Sequence, residues 1–352
     1  MTDSPMTAPA APSASAGEVL SGYLTSQAGA FLRALPQAVG EAGSRPGSLP
    51  ASAAGADDLL RAVRRIGGAL HTYAAAFDPG WAGELRTELA WLLDLLGREP
   101  GYRRRSARLL AALDSLSDAA SETPGMLSGH TGAPKARALL ERQLALARTR
   151  AHTSLLQQLR TARLHALADR MTLLTGEVPL LAGTAGQEGS ALLPQASAAL
   201  GALAAGAEKL PLARAVQPYG GDGLHRLSSV PAARSGPAPA AADADSLLAA
   251  DDEPWHRVRV LVKRARYALE VCQVPTAELD GLDAVLDRHR DASDAAATAS
   301  TAARTPRITP ATAYVLGVVH ADQRLEVEAA RYAFGHQWPK LPHHGWHEWA
   351  TA

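Results

Sequence analysis

The 352-residue chain is long enough for one large domain or two ordinary ones, and for a substantial buried core. Its 35 Lys and Arg balance 35 Asp and Glu, so binding a polyanion, usually the work of a basic chain, requires charge segregated onto particular faces. The single cysteine, Cys272, excludes an intrachain disulfide and a cysteine zinc site, and no run of about 18 consecutive apolar residues marks a membrane span.

Ala, Leu and Arg, all good helix formers, dominate the periodic segments. No run alternates β-branched residues as a strand would, so the fold class read from the sequence is all-α. Residues 1–16, MTDSPMTAPAAPSASA, lack the basic and apolar stretches of a secretory signal and have the bias of a disordered tail. A helix is predicted over 18–39 and is broken by GEAGSRPGSLPASAAG. A second spans 57–77, with Asp57 or Asp58 placed to cap it and Asp78-Pro79-Gly80 placed to end it. Two more cover 82–96 and 103–119, parted by 97–101, and a long one covers 135–174. An Ala-rich helix is read over 187–212, and 215–250, including SGPAPAAADAD, has the composition of a mobile linker or insertion. The helical pattern returns at 255–274, 279–301 and 310–334. Helices joined by short breaks predict two up-and-down bundles. The first takes 17–174 and the second 175–342, leaving a His- and Trp-bearing tail at 343–352.

The chain repeats itself at an offset of 199 residues. Leu59, Ala62, Val63, Ile66, Ala69, Leu70 and Tyr73 match Val258, Leu261, Val262, Ala265, Ala268, Leu269 and Cys272, and Arg64-Arg65 falls on Lys263-Arg264. The same apolar stripe with the same basic pair points to duplicated halves around a basic groove or cavity. On the second copy the stripe fills one arc of a helix, while His256, Arg259, Lys263, Arg266, Tyr267 and Glu270 fill the other, with Arg257 and Arg264 at its margin. Glu270 is the one nearby carboxylate on the helix and does not balance these cations. A solvated surface explains such a face; so do converging phosphate donors, since Arg presents a fork, Lys a point charge and Tyr a hydroxyl. Arg61, Arg64, Arg65 and His71 fall on or beside the matching face of the first half. The long helix adds Lys135, Arg142, Thr149 and Arg160, with Arg163 nearby, for which ordinary surface charge serves as well, and Arg290 joins the phosphate candidates. Arg103-Arg104-Arg105 falls at a predicted helix start, where cations oppose the dipole.

His256 to Glu270, HRVRVLVKRARYALE, resembles the second signature helix of the CHAD family, the conserved-histidine α-helical domains. The family pattern of His, an Arg three later and a Lys/Arg-Arg-x-Arg-Tyr cluster falls on His256, Arg259, Lys263, Arg264, Arg266 and Tyr267 without a gap. LDAVLDRHRD at 282–291, AYVLGVVHADQRLEVEAARYAFGHQW and VLSGYLTSQAGAFL are similar to further helices of that family, so the resemblance spans about 17–342. It implies two similar helical bundles around a basic cavity that binds inorganic polyphosphate, without catalysis and without a cofactor. The first copy departs from the pattern: Asp57 stands at the His position, Leu60 at the first Arg, Gly67 at the last Arg, and Pro100-Gly101 at an Arg-Asp pair. The C-terminal face is therefore expected to carry more of the binding.

Hydrolase motifs are missing. A triphosphate tunnel enzyme needs ExExK on a strand, and the nearest match is Glu326-Val-Glu328 followed by Ala330 in a helical segment. Neither GxxxxGK[ST] nor GxSxG occurs. His343, His344 and His347 lie in a Pro/Gly-bounded tail without carboxylates to orient them, so no metal is expected. Two alternatives stay open beside polyphosphate: a nucleic-acid module, disfavoured by faces nearly free of stacking aromatics, and a helical scaffold with a vestigial groove. The expected setting is the cytoplasm, in association with polyphosphate granules, with no membrane partner.

Overall fold

The computed structural model describes residues 14–43, 54–118, 125–217 and 241–341. Nine long helices build it: α1 Ala16–Gly43, α2 Ala54–Thr72, α3 Pro79–Ser117, α4 Ala133–Gln158, α5 Ala162–Gly176, α6 Leu193–Glu208, α7 Ala241–Val271, α8 Ala277–Ala303 and α9 Pro310–Gln337. Among the described residues there is no strand, and the fold is all-α.

Local chemistry sets several helix ends. Ser15 and Glu18 form a reciprocal capping box, the Ser15 amide donating to the Glu18 carboxylate at 2.8 Å and the Glu18 amide to the Ser15 hydroxyl at 3.2 Å. Asp78 and Pro79, read as a stop, start α3: Asp78 accepts from the Trp81 amide at 2.8 Å, and proline fits the first turn. α7 closes with Gln273 at φ 58, the Val274 amide reaching the Leu269 carbonyl at 2.9 Å and the Gln273 amide the Glu270 carbonyl at 3.1 Å. That double bond pattern is a Schellman stop, so the helix ends before Val274.

Four predicted boundaries are corrected. No break separates 97 from 101: α3 runs through Pro100, held by Leu95 and Leu96 in one core and by Leu109 and Leu113 in another. The predicted helix 135–174 is two helices, turning where the Arg160 and Thr161 amides bond back to Gln157 and Gln158, which lays α5 on α1. Within the predicted linker, 241–250 is helical and continues into the signature helix through Pro254, while 218–240 lies outside the described residues, as do 1–13 and the tail from 342. The Ala-rich helix is shorter than predicted, preceded by a 3-10 turn at Gly189–Leu192. With that turn it is long and apolar enough to cross a membrane, but Leu200, Leu203 and Ala207 are packed in the core against α7.

The hydrophobic core has two parts, and both draw on both halves of the chain. The larger joins α1, α2, the first half of α3, α5, α6, α7, the start of α8 and the end of α9. The smaller joins Leu109 and Leu113 of α3, Leu140 and Leu144 of α4, Ala295, Ala299 and Ala302 of α8, and Val315, Leu316 and Val319 of α9. The alanine stripe of α8 lets α9 approach closely along most of its length. Each fully buried leucine contributes about 1.5–3 kcal/mol.

The repeated helices α2 and α7 pack on each other. Tyr73 donates to the Ala268 carbonyl at 2.8 Å and meets the Cys272 thiol, its own repeat counterpart, at 3.2 Å. Gly68 likewise lies against Tyr267, its counterpart, so closely that a Cβ there would stand 2.7 Å from the ring. Residues touching their own equivalents lie on the local axis relating the halves. Because both contacts advance in step, α2 and α7 run side by side in the same direction.

Candidate anion-binding cleft between α2, α3 and α7

The cations of the C-terminal signature face are largely neutralised. The expectation that Glu270 stands alone against them fails, because α8 turns Asp280, Asp283 and Asp287 toward α7. Lys263 pairs with Asp283 and with Asp287, the latter at 3.1 Å, and Arg259 pairs with Asp287. Arg266 meets Asp283 at 2.7 Å and Asp280 at 3.1 Å. Asp283 is only 9% exposed, so its two cations satisfy a carboxylate that would otherwise be stranded.

On the N-terminal side the matching surface of α3 is different. Its acids Glu84 and Glu88 turn away to α5, meeting Arg170 at 3.1 Å and Arg163 at 2.6 Å. Gly83, Arg86, Thr87 and Ala90 face α2 and α7 instead, and with them line a cleft of about 770 Å³. Arg64, His71, Arg264 and Tyr267 complete its polar wall, with Arg259 and Lys263 beside Val260. Among the described residues no carboxylate lines it. Arg64, Arg86 and Arg264 have no acidic partner among the described residues.

The local axis explains why Arg264 is free. Arg65 donates to Glu270 at 2.7 Å, and Tyr23 donates to the same carboxylate at 3.2 Å. The repeat carries Arg65 onto Arg264 and Glu270 onto His71, so the symmetric counterpart of that ion pair sets Arg264 beside a histidine. Burial, Arg264 and Arg86 all push the His71 imidazole below its ordinary range. Burial and Arg86 likewise lower Arg264. The cleft thus holds like charges together in a partly desolvated place, a standing repulsion that a bound anion relieves.

The structure sorts the sequence-derived candidates. It brings Arg64, His71, Arg259, Lys263, Arg264 and Tyr267 to one cleft. Tyr267 is buried, which raises its hydroxyl pKa, and its ring fills the space left at Gly68. Arg65 pairs with Glu270 and Arg266 with Asp283, neither lining the cleft, and Arg61 pairs with Asp58 at 3.1 Å beside a separate groove between α1 and α2. Arg142 and Arg160 are exposed on α4 and the turn after it, away from the cleft. Arg290 pairs with Asp294 at 3.2 Å.

His256 is also displaced. It is half-buried, edge-on to His289 at 5.4 Å, and burial followed by Arg290 depresses its basicity. His289 itself is fully buried, and burial and Arg331 push it down to about 2. Arg331, 4% exposed, donates to the His289 Nε2 at 3.2 Å and to Asp252 at 2.7 Å, and lies over Trp255. These residues lock α7, α8 and α9 together. Arg104 and Arg105 sit inside α3, not at a helix start, and reach Asp291 at 3.7 Å and Asp294 at 3.2 Å.

Arg86 was not among the sequence candidates. Flanked by Glu84 and Glu88 it reads as ordinary helix surface. The usable signal is that 83, 86, 87 and 90 form an acid-free stripe while both glutamates fall on the other side.

Comparison with known proteins agrees with this architecture. The CHAD domain family profile matches residues 44–300. PptA from Streptomyces chartreusis is 41% identical, with a TM-score of 0.72 over 92% of this chain and 99% of that one. The crystal structure of the CHAD domain from the plant Ricinus communis is 17% identical, with a TM-score of 0.51 over 95% of this chain and 97% of that one. No curated protein matches in sequence. With the family profile covering most of the chain and the duplicated helical halves in place, the protein belongs to the CHAD domain family.

Proposed function

We propose that this protein is a non-enzymatic binding module for inorganic polyphosphate, and that the ligand lies in the cleft between α2, α3 and α7. One observation carries the reading: Arg64, Arg86 and Arg264 converge on a cleft without a carboxylate, while other cations of the signature face are ion-paired. Guanidinium forks suit phosphate oxygens. The family's general affinity for polyphosphate agrees with that choice. Tyr267, the one Phe, Tyr or Trp among the described residues of the cleft wall, is 8% exposed, which leaves little platform for stacked bases.

The test is a salt titration of polyphosphate binding, with RNA and DNA as competitors. By analogy with single-stranded nucleic acids, three arginine contacts give a slope of log affinity against log salt of about −2. The Arg64→Ala/Arg86→Ala/Arg264→Ala variant is expected to lose at least about tenfold in affinity and to flatten the slope. Its melting should stay close to wild type, since none of the three holds an ion pair among the described residues. No binding by wild type at low salt, unchanged affinity in the variant, or stronger competition by nucleic acid would reject the reading.

A further inference from the structure

The cleft holds two kinds of cation. Arg64, Arg86 and Arg264 have no acidic partner among the described residues, whereas Arg259 and Lys263 reach its wall with Asp287 attached. Asp287 is the one carboxylate partner of Arg259 among the described residues, and its side chain is 44% exposed. Asp283 is different: it is 9% exposed and clamped by both Lys263 and Arg266. A half-exposed pair of this kind, 28% and 44% open to solvent, exchanges with a competing anion more readily than a buried clamp does. Arg259 lies five residues before Arg264 on α7, about 7.5 Å along the helix axis. A ligand confined to the free arginines does not reach it, but a chain running on along α7 does.

We propose that Asp287 is an internal counterion that long polyphosphate displaces, and that this exchange sets the chain-length selectivity of the cleft. The inference rests on the polyphosphate reading above. A short phosphate occupies the free arginines and leaves the Arg259–Asp287 pair intact. A long chain continues to Arg259 only by replacing the Asp287 carboxylate oxygens with its own, so part of the attraction offsets the broken pair, while Lys263 stays clamped by Asp283.

The experiment compares inorganic pyrophosphate and long-chain polyphosphate on wild type, Asp287→Asn and Asp280→Asn. Asp280 is a control of equal charge and similar exposure, 53%, whose partner Arg266 does not line the cleft. Asp287→Asn is expected to tighten the long chain about fivefold near 0.1 M salt, the worth of about one added phosphate contact. It should change pyrophosphate less than twofold, and Asp280→Asn should leave both ligands within twofold, with melts confirming folded proteins. Equal tightening for both ligands, no tightening of the long chain, or the same gain from Asp280→Asn would overturn the inference. A wild type that binds neither ligand would instead remove the polyphosphate reading itself.

Discussion

At the scale of single residues, the exchange of Glu270 for His71 across the local axis leaves Arg264 without that carboxylate and predicts a pH response of binding in the cleft. His71 is held below its ordinary range by burial, Arg264 and Arg86, so it is neutral near pH 7. A phosphate chain beside it supplies the missing negative charge and raises its proton affinity. The complex therefore binds more protons than the free protein, and affinity rises as pH falls through the interval between the two His71 pKa values. The gain for one proton is at most about tenfold per pH unit. Polyphosphate titrations at successive pH values on wild type and His71→Gln check this, because the ligand's own titration is common to both. The same pH dependence in the two proteins would show that His71 takes no part. His256, which lies against His289 and does not line the cleft, is not expected to contribute.

At the scale of elements, the close packing of α2 on α7 depends on the absence of one side chain. Gly68→Ala would put a Cβ 2.7 Å from the Tyr267 ring and 3.0 Å from its Cβ, with no flexible end to yield. The expected cost is about 1–3 kcal/mol. At the neighbouring Gly67 an added methyl group would meet nothing within 4 Å, so Gly67→Ala is expected to stabilise the helix by up to about 1 kcal/mol. Urea melts of the two variants make the comparison, and a loss at 67 matching that at 68 would contradict the packing described. The same element pair shows why the signature face misled a reading from one helix. Asp280, Asp283 and Asp287 recur at three and four residues on α8, and their stripe is legible in LDGLDAVLD. That it faces Lys263 and Arg266 depends on how α8 turns back after the Schellman stop at Gln273.

For the whole molecule, the two halves share their core and are expected to unfold together. The larger core takes residues from α1 and α2 as well as from α6, α7 and α9, and α2 and α7 meet through their apolar stripes. Separating the halves would bare Tyr73, which is held by the Ala268 carbonyl and Cys272, and the Gly68 surface that receives the Tyr267 ring. A single urea transition, coincident by far-UV signal and tryptophan fluorescence, is the expected result. Two resolved transitions would mean that the halves are separate folding units.

The all-α class, the duplication and the positions of the signature cations were legible in the sequence because they rest on local periodicity: the 199-residue offset places Tyr73 on Cys272, and the structure brings those two side chains together. The caps at Ser15 and Asp78 are also local, each closing over three residues, yet the composition of 1–16 reads as a tail and Asp78-Pro79-Gly80 as a stop. Which cations remain free was decided only by the tertiary structure. Arg266 and Lys263 look as available as Arg64 along the chain, yet α8 supplies the first two with carboxylates, whereas α3 turns its glutamates toward α5 and offers Arg86 instead. The degenerate first copy, with Gly67 in place of an arginine, thus borders the cleft of unpaired charge. Ion pairing is a property of which faces meet, and helices joined by turns can present either face until the core is packed.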